Sequence, residues 1–131
     1  ECPLCQNYAV AMRKLQDKYP GVEFIGIFPG TEYEKKEIRR YLIRFGLDMD
    51  SYLDPEFKLT NMLDAEITPE AFLLDENANV LYSGAIDNWA ISLGQKRTVI
   101  TEHYLMDAIE AGLNNRPVKT TKSKAVGCFI Q

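Results

Sequence analysis

The stretch that decides the fold is Glu1-Cys2-Pro3-Leu4-Cys5, a C-x-x-C motif at the start of a helical pattern. Two cysteines three positions apart can close and open one small disulfide ring. Backbone N–H groups at a helix N-terminus favour an anion, so they lower the pKa of the first thiol and make it a usable nucleophile. The same spacing can also supply half of a zinc site, so the motif by itself leaves redox chemistry and metal binding open.

Length and charge restrict the class of protein. The chain has 131 residues, a length typical of one domain with its own core. We therefore expect a single domain over residues 1–131, with a C-terminal tail over residues 114–131. The formal net charge is −4 and like charges form no long run, which argues against nucleic acid or an anionic membrane as partner. No stretch approaches the roughly 20 apolar residues that cross a bilayer, so no membrane-spanning segment is expected.

The first elements follow from apolar spacing. Residues 3–19 carry apolar side chains at helical spacing, and Pro20-Gly21 ends that helix. The mostly apolar run from Val22 to Phe28 predicts a buried strand. A parallel strand before the first helix would complete a βαβ unit. The sequence does not contain it, and we expect it upstream in the natural protein.

Capping signals predict the next elements. Thr31 and Glu34 match a capping box at the start of a second helix, and Gly46 is suited to end it. Ser51 to Asp54 predicts a short strand. The pair Asp54-Pro55 is typical of an N-cap followed by a first helical residue, so a third helix is expected to start there.

The second half of the sequence predicts a hairpin and a last helix. Two apolar runs, Ala71 to Leu74 and Val80 to Ile86, flank the turn-forming stretch Asp75 to Asn79. Residues 87–100 show no period and predict a loop. Thr101 can cap the last helix. The side chains expected to face inward from that helix are Tyr104, Leu105, Ala108, Ile109 and Leu113.

This order of elements, with C-x-x-C at the first helix and a Thr-Pro before the hairpin, resembles the thioredoxin superfamily. The closer likeness is to the redoxin branch, which holds TlpA-like thiol oxidoreductases and AhpC/TSA relatives. The stretches that carry it are Cys2 to Cys5, Val22 to Pro29, Asp54-Pro55, Thr68 to Asp75, Tyr82 to Asn88 and Gly127 to Ile130. The resemblance implies an α/β, thioredoxin-like fold: a central mixed β-sheet flanked by helices, with the first strand missing from this chain.

The resemblance also implies a function and a setting. The Thr68-Pro69 bond would be cis, and the Thr68 backbone would pair with an extended substrate chain. From the residues alone, an ordinary trans proline at a strand entrance is the alternative. The expected protein is a bacterial enzyme of the periplasm or cell envelope, with no resident cofactor. Its expected partners are protein thiols and disulfides together with a reductant or oxidant.

The two cysteines of the motif are expected to have different roles. Cys2 would be the exposed nucleophile, and Cys5, one turn into the helix, would be the resolving thiol that releases the mixed disulfide. Pro3 and Leu4 carry no base, so any shift in the thiol pKa must come mainly from the helix terminus. The alternatives for the pair are metal ligands and a structural disulfide that never cycles.

Two other functions fit the sequence less well. A thiol-dependent peroxidase needs an arginine near the start of the hairpin, and the sequence has Thr68-Pro69 there instead. Copper-delivery proteins of the Sco type use C-x-x-x-C and a distant histidine, whereas Cys2 and Cys5 are one residue closer. His103, the single histidine, is better explained as an exposed or capping residue, so no metal ligands are assigned. If copper bound, thiolates would suit Cu(I).

Two residues outside the motif are also candidates. Cys128 lies in the apolar end of a polar tail, which suggests that the tail docks back onto the protein. Cys128 is then either a third redox thiol or metal ligand, or a small buried residue. Trp89 either covers the active-site face or is a half-buried loop residue. The buried acid that the resemblance leads us to expect beside Cys5 cannot be assigned to any Asp or Glu.

Overall fold

The computed structural model of the chain describes residues 3–130. Its α-helices there are α1 (Pro3–Lys18), α2 (Lys35–Phe45), α3 (Lys58–Leu63) and α4 (Tyr104–Leu113). Its β-strands there are β1 (Ile25–Pro29), β2 (Asp50–Asp54), β3 (Ile67–Thr68), β4 (Ala71–Leu74), β5 (Val80–Gly84), β6 (Ala90–Ser92), β7 (Gln95–Lys96) and β8 (Cys128–Phe129). The protein is a mixed α/β protein with short sheets, which confirms the predicted α/β class.

The described residues form two compact units. The first consists of Pro3–Glu66 together with Ile130, and the second consists of Ile67–Phe129. In the first unit β1 and β2 pair in parallel, with Ile25 opposite Asp50. We predicted a buried strand here, but Ile25 is 51% exposed and the rest of β1 is half-buried. An apolar run fits a strand buried on both faces, whereas a two-stranded ladder covers less of its surface.

Helices α1 and α2 follow the predicted pattern. Helix α1 buries Leu4, Tyr8, Ala9 and Leu15. Burial of a large apolar side chain contributes about 1.5–3 kcal/mol to folding, so this face anchors the helix. Helix α2 buries Ile38 and ends at Gly46, as predicted, where φ is 66° and the backbone N–H donates to the carbonyl of Ile43.

The predicted starts of α2 and α3 are wrong. Helix α2 begins after Glu34, whose backbone is extended and whose side chain caps nothing, so Thr31 and Glu34 form no capping box. Helix α3 begins after Phe57, so Asp54-Pro55 is neither its N-cap nor its first residue. Asp54 instead reaches forward to Thr60: Oδ2 of Asp54 accepts hydrogen bonds from the Thr60 N–H at 2.8 Å and the Thr60 hydroxyl at 2.7 Å.

The second unit contains the predicted hairpin. Strands β4 and β5 are antiparallel, with Ala71 opposite Gly84. Oδ1 of Asp75 closes the turn by accepting hydrogen bonds from the N–H groups of Asn77 and Asn79, each at 2.9 Å. The hydrogen bonds from Asn79, backbone first, lower the pKa of Asp75 below its usual value. Helix α4 contacts both strands and buries part of the predicted inward face. The buried residues of α4 are Leu105, Ala108 and Ile109, whereas Leu113 is exposed.

The C-terminal tail pairs with the second unit. Lys122 forms a parallel bridge with Ser83, whose N–H donates to the carbonyl of Thr121 at 3.0 Å. Gly84 permits this approach, because a Cβ there would lie 2.2 Å from the carbonyl oxygen of Ser123, and its φ of 138° also disfavours a side chain. The tail therefore runs beside β5 and forms a single bridge with it at Lys122, although its composition is polar.

Residues 87–100 were predicted to be a loop, but they contain the small antiparallel hairpin of β6 and β7. Its strands are short and mostly exposed, so no alternating pattern marks them. Thr101 was predicted to cap α4, but His103 holds the N-cap position without a side-chain hydrogen bond. The Thr101 hydroxyl instead accepts a hydrogen bond from Nδ2 of Asn88 at 2.6 Å. Among residues 3–130, no helix is both long enough and apolar enough to cross a membrane.

Candidate functional site

The C-x-x-C motif lies at the start of α1. Cys2 lies outside the described residues, so its predicted role as nucleophile stays a prediction. Cys5 is the third residue of α1 and is half-buried. The first turn of α1 contains no acidic residue, so within the described helix no carboxylate opposes a negative charge on a thiol there. The positive end of the helix dipole lies at the turn of α1 that contains Cys5.

A hydrogen bond joins helix α2 to the first turn of α1, the turn that contains Cys5. The Tyr41 hydroxyl donates to the carbonyl oxygen of Cys5 at 2.8 Å. The Tyr41 ring is fixed by edge or tilted contacts with Phe28, at 6.4 Å between ring centroids, and with Phe45, at 4.9 Å. Phe28 also contacts Tyr33 edge-on at 5.5 Å. These four rings form an aromatic cluster, and such pairs typically add about 0.5–1.5 kcal/mol beyond their burial.

Thr68 is the last residue of β3 and Pro69 follows it, and the bond between them is cis, as the resemblance implied. Strand β3 pairs in antiparallel fashion with β8, which places Thr68 opposite Cys128 and Ile67 opposite Phe129. The structure therefore brings Thr68, Pro69 and Cys128 together in the second unit. Cys5 belongs to the first unit.

The end of the tail docks through β8, as its apolar composition suggested. Cys128 is half-buried there. Its proposed role as a third redox thiol or metal ligand stays a prediction. His103 is exposed at the start of α4, and its carbonyl accepts a hydrogen bond from the Asp107 N–H at 2.9 Å. Across residues 3–130, no group of three or more His, Cys, Asp or Glu side chains is arranged to hold a metal ion.

Among the described residues, the structure buries two carboxylates that the sequence did not single out as functional, Asp54 and Asp87. Burial raises the pKa of Asp54, but hydrogen bonds from Thr60 and from the backbone of Leu59 and Lys58 outweigh it, so the pKa lies below its usual value. Asp54 is thus held as an anion that fixes the start of α3. The sequence analysis singled out Asp54 through the Asp54-Pro55 pair, but it predicted a helix N-cap and not a buried carboxylate.

Asp87 organises the approach to the β6–β7 hairpin. Its Oδ1 accepts a hydrogen bond from the Trp89 N–H at 2.9 Å. Trp89 is half-buried, and the Lys96 ammonium lies 5.7 Å from its ring centroid. The Trp89 carbonyl also accepts from the Arg97 N–H at 2.7 Å. These contacts support the reading of Trp89 as a half-buried residue that anchors its hairpin.

Comparisons with known proteins bear on the fold. No protein-family model matches the chain. No curated protein matches it either. Among solved structures, an uncharacterized conserved protein from Geobacillus kaustophilus superimposes with a TM-score of 0.83 at 21% identity, over 100% of this chain and 71% of that one. The hypothetical protein SMc02350 from Sinorhizobium meliloti 1021 gives a TM-score of 0.86 at 23% identity, over 99% of this chain and 73% of that one. These similarities show a shared fold and leave function to be argued from the residues.

Proposed function

We propose that the protein is a thioredoxin-like thiol–disulfide oxidoreductase that acts on polypeptide disulfides through Cys2 and Cys5. The observation that carries the proposal is the position of the motif: C-x-x-C coincides with the start of α1, and Cys5 lies in its first turn. A thiol at a helix N-terminus has a lowered pKa, which provides the thiolate that disulfide exchange requires. The absence of an acid from the first turn of α1 supports the same chemistry.

The order of elements supports the finer fold assignment. Helix α1 is followed by the parallel pair β1–β2 with α2 between them, then by the cis Thr68-Pro69 bond, the β4–β5 hairpin and α4. This is the order on which the likeness to redoxins depends. A parallel strand preceding α1 would complete the proposed central sheet.

The proposed cycle moves two electrons. The Cys2 thiolate attacks one sulfur of a substrate disulfide, forming a mixed disulfide and releasing the other substrate sulfur as a thiolate, which takes up a proton. Cys5, as a thiolate, then attacks the Cys2 sulfur. The second substrate sulfur leaves and is protonated, and a Cys2–Cys5 disulfide remains. The substrate is reduced by two electrons and the protein is oxidised by two, so a separate dithiol reductant must restore it; the reverse direction requires an oxidant.

The half-buried state of Cys5 is consistent with a resolving thiol, because such a group needs to reach only the neighbouring cysteine. The proposed setting is the bacterial periplasm or cell envelope, where both protein disulfides and their reductants occur. The proposed partners are a disulfide-bearing polypeptide and a redox protein that exchanges electrons with the motif.

The testing experiment is a redox titration in glutathione buffers with disulfide mapping by mass spectrometry, combined with insulin reduction. We expect a reversible Cys2–Cys5 disulfide with a midpoint between roughly −270 and −120 mV. Cys2→Ser should abolish exchange, and Cys5→Ser should accumulate mixed disulfides. Cys128→Ser is the matched control for removal of a thiol outside the motif.

Other results would redirect the assignment. Full exchange activity in Cys2→Ser would contradict the proposed roles. Thiols protected by a metal ion that remains bound through purification would indicate a metal-binding protein. A Cys2–Cys5 disulfide that never opens over the buffer series would indicate a structural crosslink.

A further inference from the structure

Helix α2 presents a strongly cationic face to solvent. The helix contains five Lys and Arg residues and one acid, Glu37. With 3.6 residues per turn, five of its exposed side chains fall within an arc of about 140°, opposite the buried Ile38. We call this arc the basic face, and its residues are Lys36, Arg39, Arg40, Ile43 and Arg44.

The charge of the basic face differs from that of the chain as a whole. The sequence has 19 acidic and 15 basic residues, yet four cations meet on this one face. Within residues 3–130, ion pairs join Arg13 to Asp17 and Lys58 to Glu56, and none joins a cation of the basic face to a carboxylate. Like charges one turn apart destabilise a helix, so this clustering is unfavourable for folding by itself. A partner of opposite charge would relieve the repulsion.

The basic face has an apolar centre. Ile43 is 75% exposed, and Arg39 and Arg40 stand one turn before it. Arg44 follows it, and the guanidinium carbon of Arg44 lies 5.2 Å from the centroid of the Phe45 ring, a cation–π contact that helps to hold this arginine in place. Arginine around an apolar centre is typical of a protein–protein interface.

The basic face suits an acidic polypeptide better than it suits two other common polyanions. A lipid surface binds helices with a broad apolar face, whereas Ile43 is the one apolar side chain of the basic face. The net charge of −4 opposes a long polyanion such as nucleic acid. From Lys36 to Arg44 the face is about 12 Å long at 1.5 Å per residue, a length that about four residues of an extended polypeptide span.

We propose that the basic face of α2 is a docking surface for an acidic polypeptide segment of a partner protein. The carboxylates of the segment pair with Arg39, Arg40 and Arg44, and an apolar side chain between them packs on Ile43. The planar fork of arginine can donate two hydrogen bonds to one carboxylate, so three arginines fit this partner better than three lysines would. Docking involves no thiol, so the proposal does not depend on the redox function given above.

The test measures the binding of fluorescent peptides to the full chain by fluorescence anisotropy. The probe is Asp-Glu-Leu-Asp-Glu. One control peptide, Asn-Gln-Leu-Asn-Gln, lacks the charges, and the other, Asp-Glu-Gly-Asp-Glu, lacks the apolar side chain. Arg39→Gln/Arg40→Gln removes two cations from the basic face and introduces residues that also favour a helix. Arg97→Gln/Arg116→Gln is the matched control, because it removes the same charge from two exposed arginines of the second unit.

We expect the acidic probe to bind Arg39→Gln/Arg40→Gln about tenfold more weakly than the wild type, because two charge-assisted contacts are lost. Arg97→Gln/Arg116→Gln should bind the probe as the wild type does, and the uncharged peptide should bind none of the three proteins. A probe that does not bind the wild type, or that binds the two double variants equally, would overturn the proposal.

Replacement of Ile43 tests the apolar centre. Ile43→Ala should weaken binding of the leucine probe about threefold and leave binding of the glycine peptide unchanged. Val99→Ala, at another exposed apolar residue, is the matched control and should change neither. Equal weakening of both peptides by Ile43→Ala would contradict the proposed contact between Ile43 and the apolar side chain.

Two further probes distinguish the class of polyanion. They are vesicles of phosphatidylglycerol and phosphatidylcholine in equal amounts, and a single-stranded oligonucleotide of thymidines. We expect both to bind the wild type more weakly than the acidic peptide does. Tighter binding of either probe, lost in Arg39→Gln/Arg40→Gln, would overturn the proposal in favour of a lipid surface or a nucleic acid. Since none of the probes contains a thiol, failure of the redox titration would leave these results unaffected.

Discussion

The hydroxyl groups of Tyr82 and Ser123 lie 2.6 Å apart and join the C-terminal tail to the end of β5. The Tyr82 hydroxyl donates its one hydrogen to the carbonyl oxygen of Ala85 at 2.5 Å. The Ser123 hydroxyl must therefore donate to Tyr82, and Oγ of Ser123 accepts from the Ala85 N–H at 3.0 Å. Three residues thus form a closed ring of hydrogen bonds in which every polar hydrogen has an acceptor.

Replacement of Ser123 breaks this ring at two points. Ser123→Ala leaves the Ala85 N–H without its acceptor and removes the donor to the Tyr82 hydroxyl. Leaving a buried polar group unsatisfied costs about 1–3 kcal/mol, so we expect the free energy of unfolding to fall by that amount. Chemical denaturation monitored by circular dichroism measures the change. A loss below a few tenths of a kcal/mol would show that the ring does not hold the tail.

Ser51→Ala should have the opposite effect on stability to Ser123→Ala. Its hydroxyl is buried and has no hydrogen-bond partner among the described residues. Ser51→Ala removes a polar group whose desolvation is not compensated, so the free energy of unfolding should stay unchanged or increase. The contrast between Ser123→Ala and Ser51→Ala, measured under one set of conditions, separates lost hydrogen bonds from the mere loss of an oxygen atom.

Tyr41 supports the first turn of α1 through its hydroxyl. Tyr41→Phe removes the hydrogen bond to the Cys5 carbonyl but keeps the ring contacts with Phe28 and Phe45. We expect a loss of about 0.5–1.5 kcal/mol in the free energy of unfolding. Tyr41→Leu is the comparison, since it also removes the aromatic ring, and it should cost more. Equal losses for the two variants would assign the whole effect to ring packing.

The lowered pKa of Asp54 predicts that the folded chain loses stability at acidic pH. The pKa of Asp54 in the folded chain lies below the ordinary value of 3.8, so the unfolded chain takes up the proton first as pH falls. The stabilising contribution is therefore complete above pH 3.8 and is lost progressively below it. Asp54→Asn should flatten this part of the stability profile, measured by denaturation between about pH 2.5 and 6.

The matched control for Asp54 is Asp50→Asn, at the exposed start of the same strand. It removes one negative charge from β2 without touching the hydrogen bonds to Thr60. If Asp50→Asn and Asp54→Asn changed the acid profile equally, net charge and not the Thr60 contact would explain the effect.

Elements with strong local signals could be predicted from the sequence. The end of α2 at Gly46 and the turn at Asp75 depend on residues next to one another in the chain, so their signals are complete in a short window. The start of α3 could not be predicted in the same way. It depends on Asp54 reaching six residues ahead to Thr60 and on Phe57 adopting a φ of 59°, which no pattern of apolar residues marks.

Non-local pairing explains what else was missed. Lys122 pairs with Ser83, and Cys128 pairs with Thr68, across long stretches of sequence. The composition of the tail indicated docking at its apolar end but could not indicate a partner strand, because register is set by the edge that the tail meets. For the candidate site, the sequence supplied the cysteines and the Thr68-Pro69 pair, and the resemblance implied the cis bond, whereas the close approach of Gly127 to the Thr68 carbonyl emerged only from three-dimensional contacts.

The raised pKa of Tyr82 predicts that the folded chain loses stability at alkaline pH. Burial is the largest cause that raises the pKa of Tyr82, which reaches about 12. The charges of Tyr104 and Glu70 also raise this pKa, whereas the hydrogen bond from Ser123 lowers it. Because the folded pKa exceeds the ordinary value of 10.0, this contribution is complete below pH 10 and is lost as pH rises towards 12. Tyrosinate absorbance should show one of the seven tyrosines ionising last, together with unfolding. In Tyr82→Phe that last step should disappear, and its persistence would assign the late ionisation to another tyrosine.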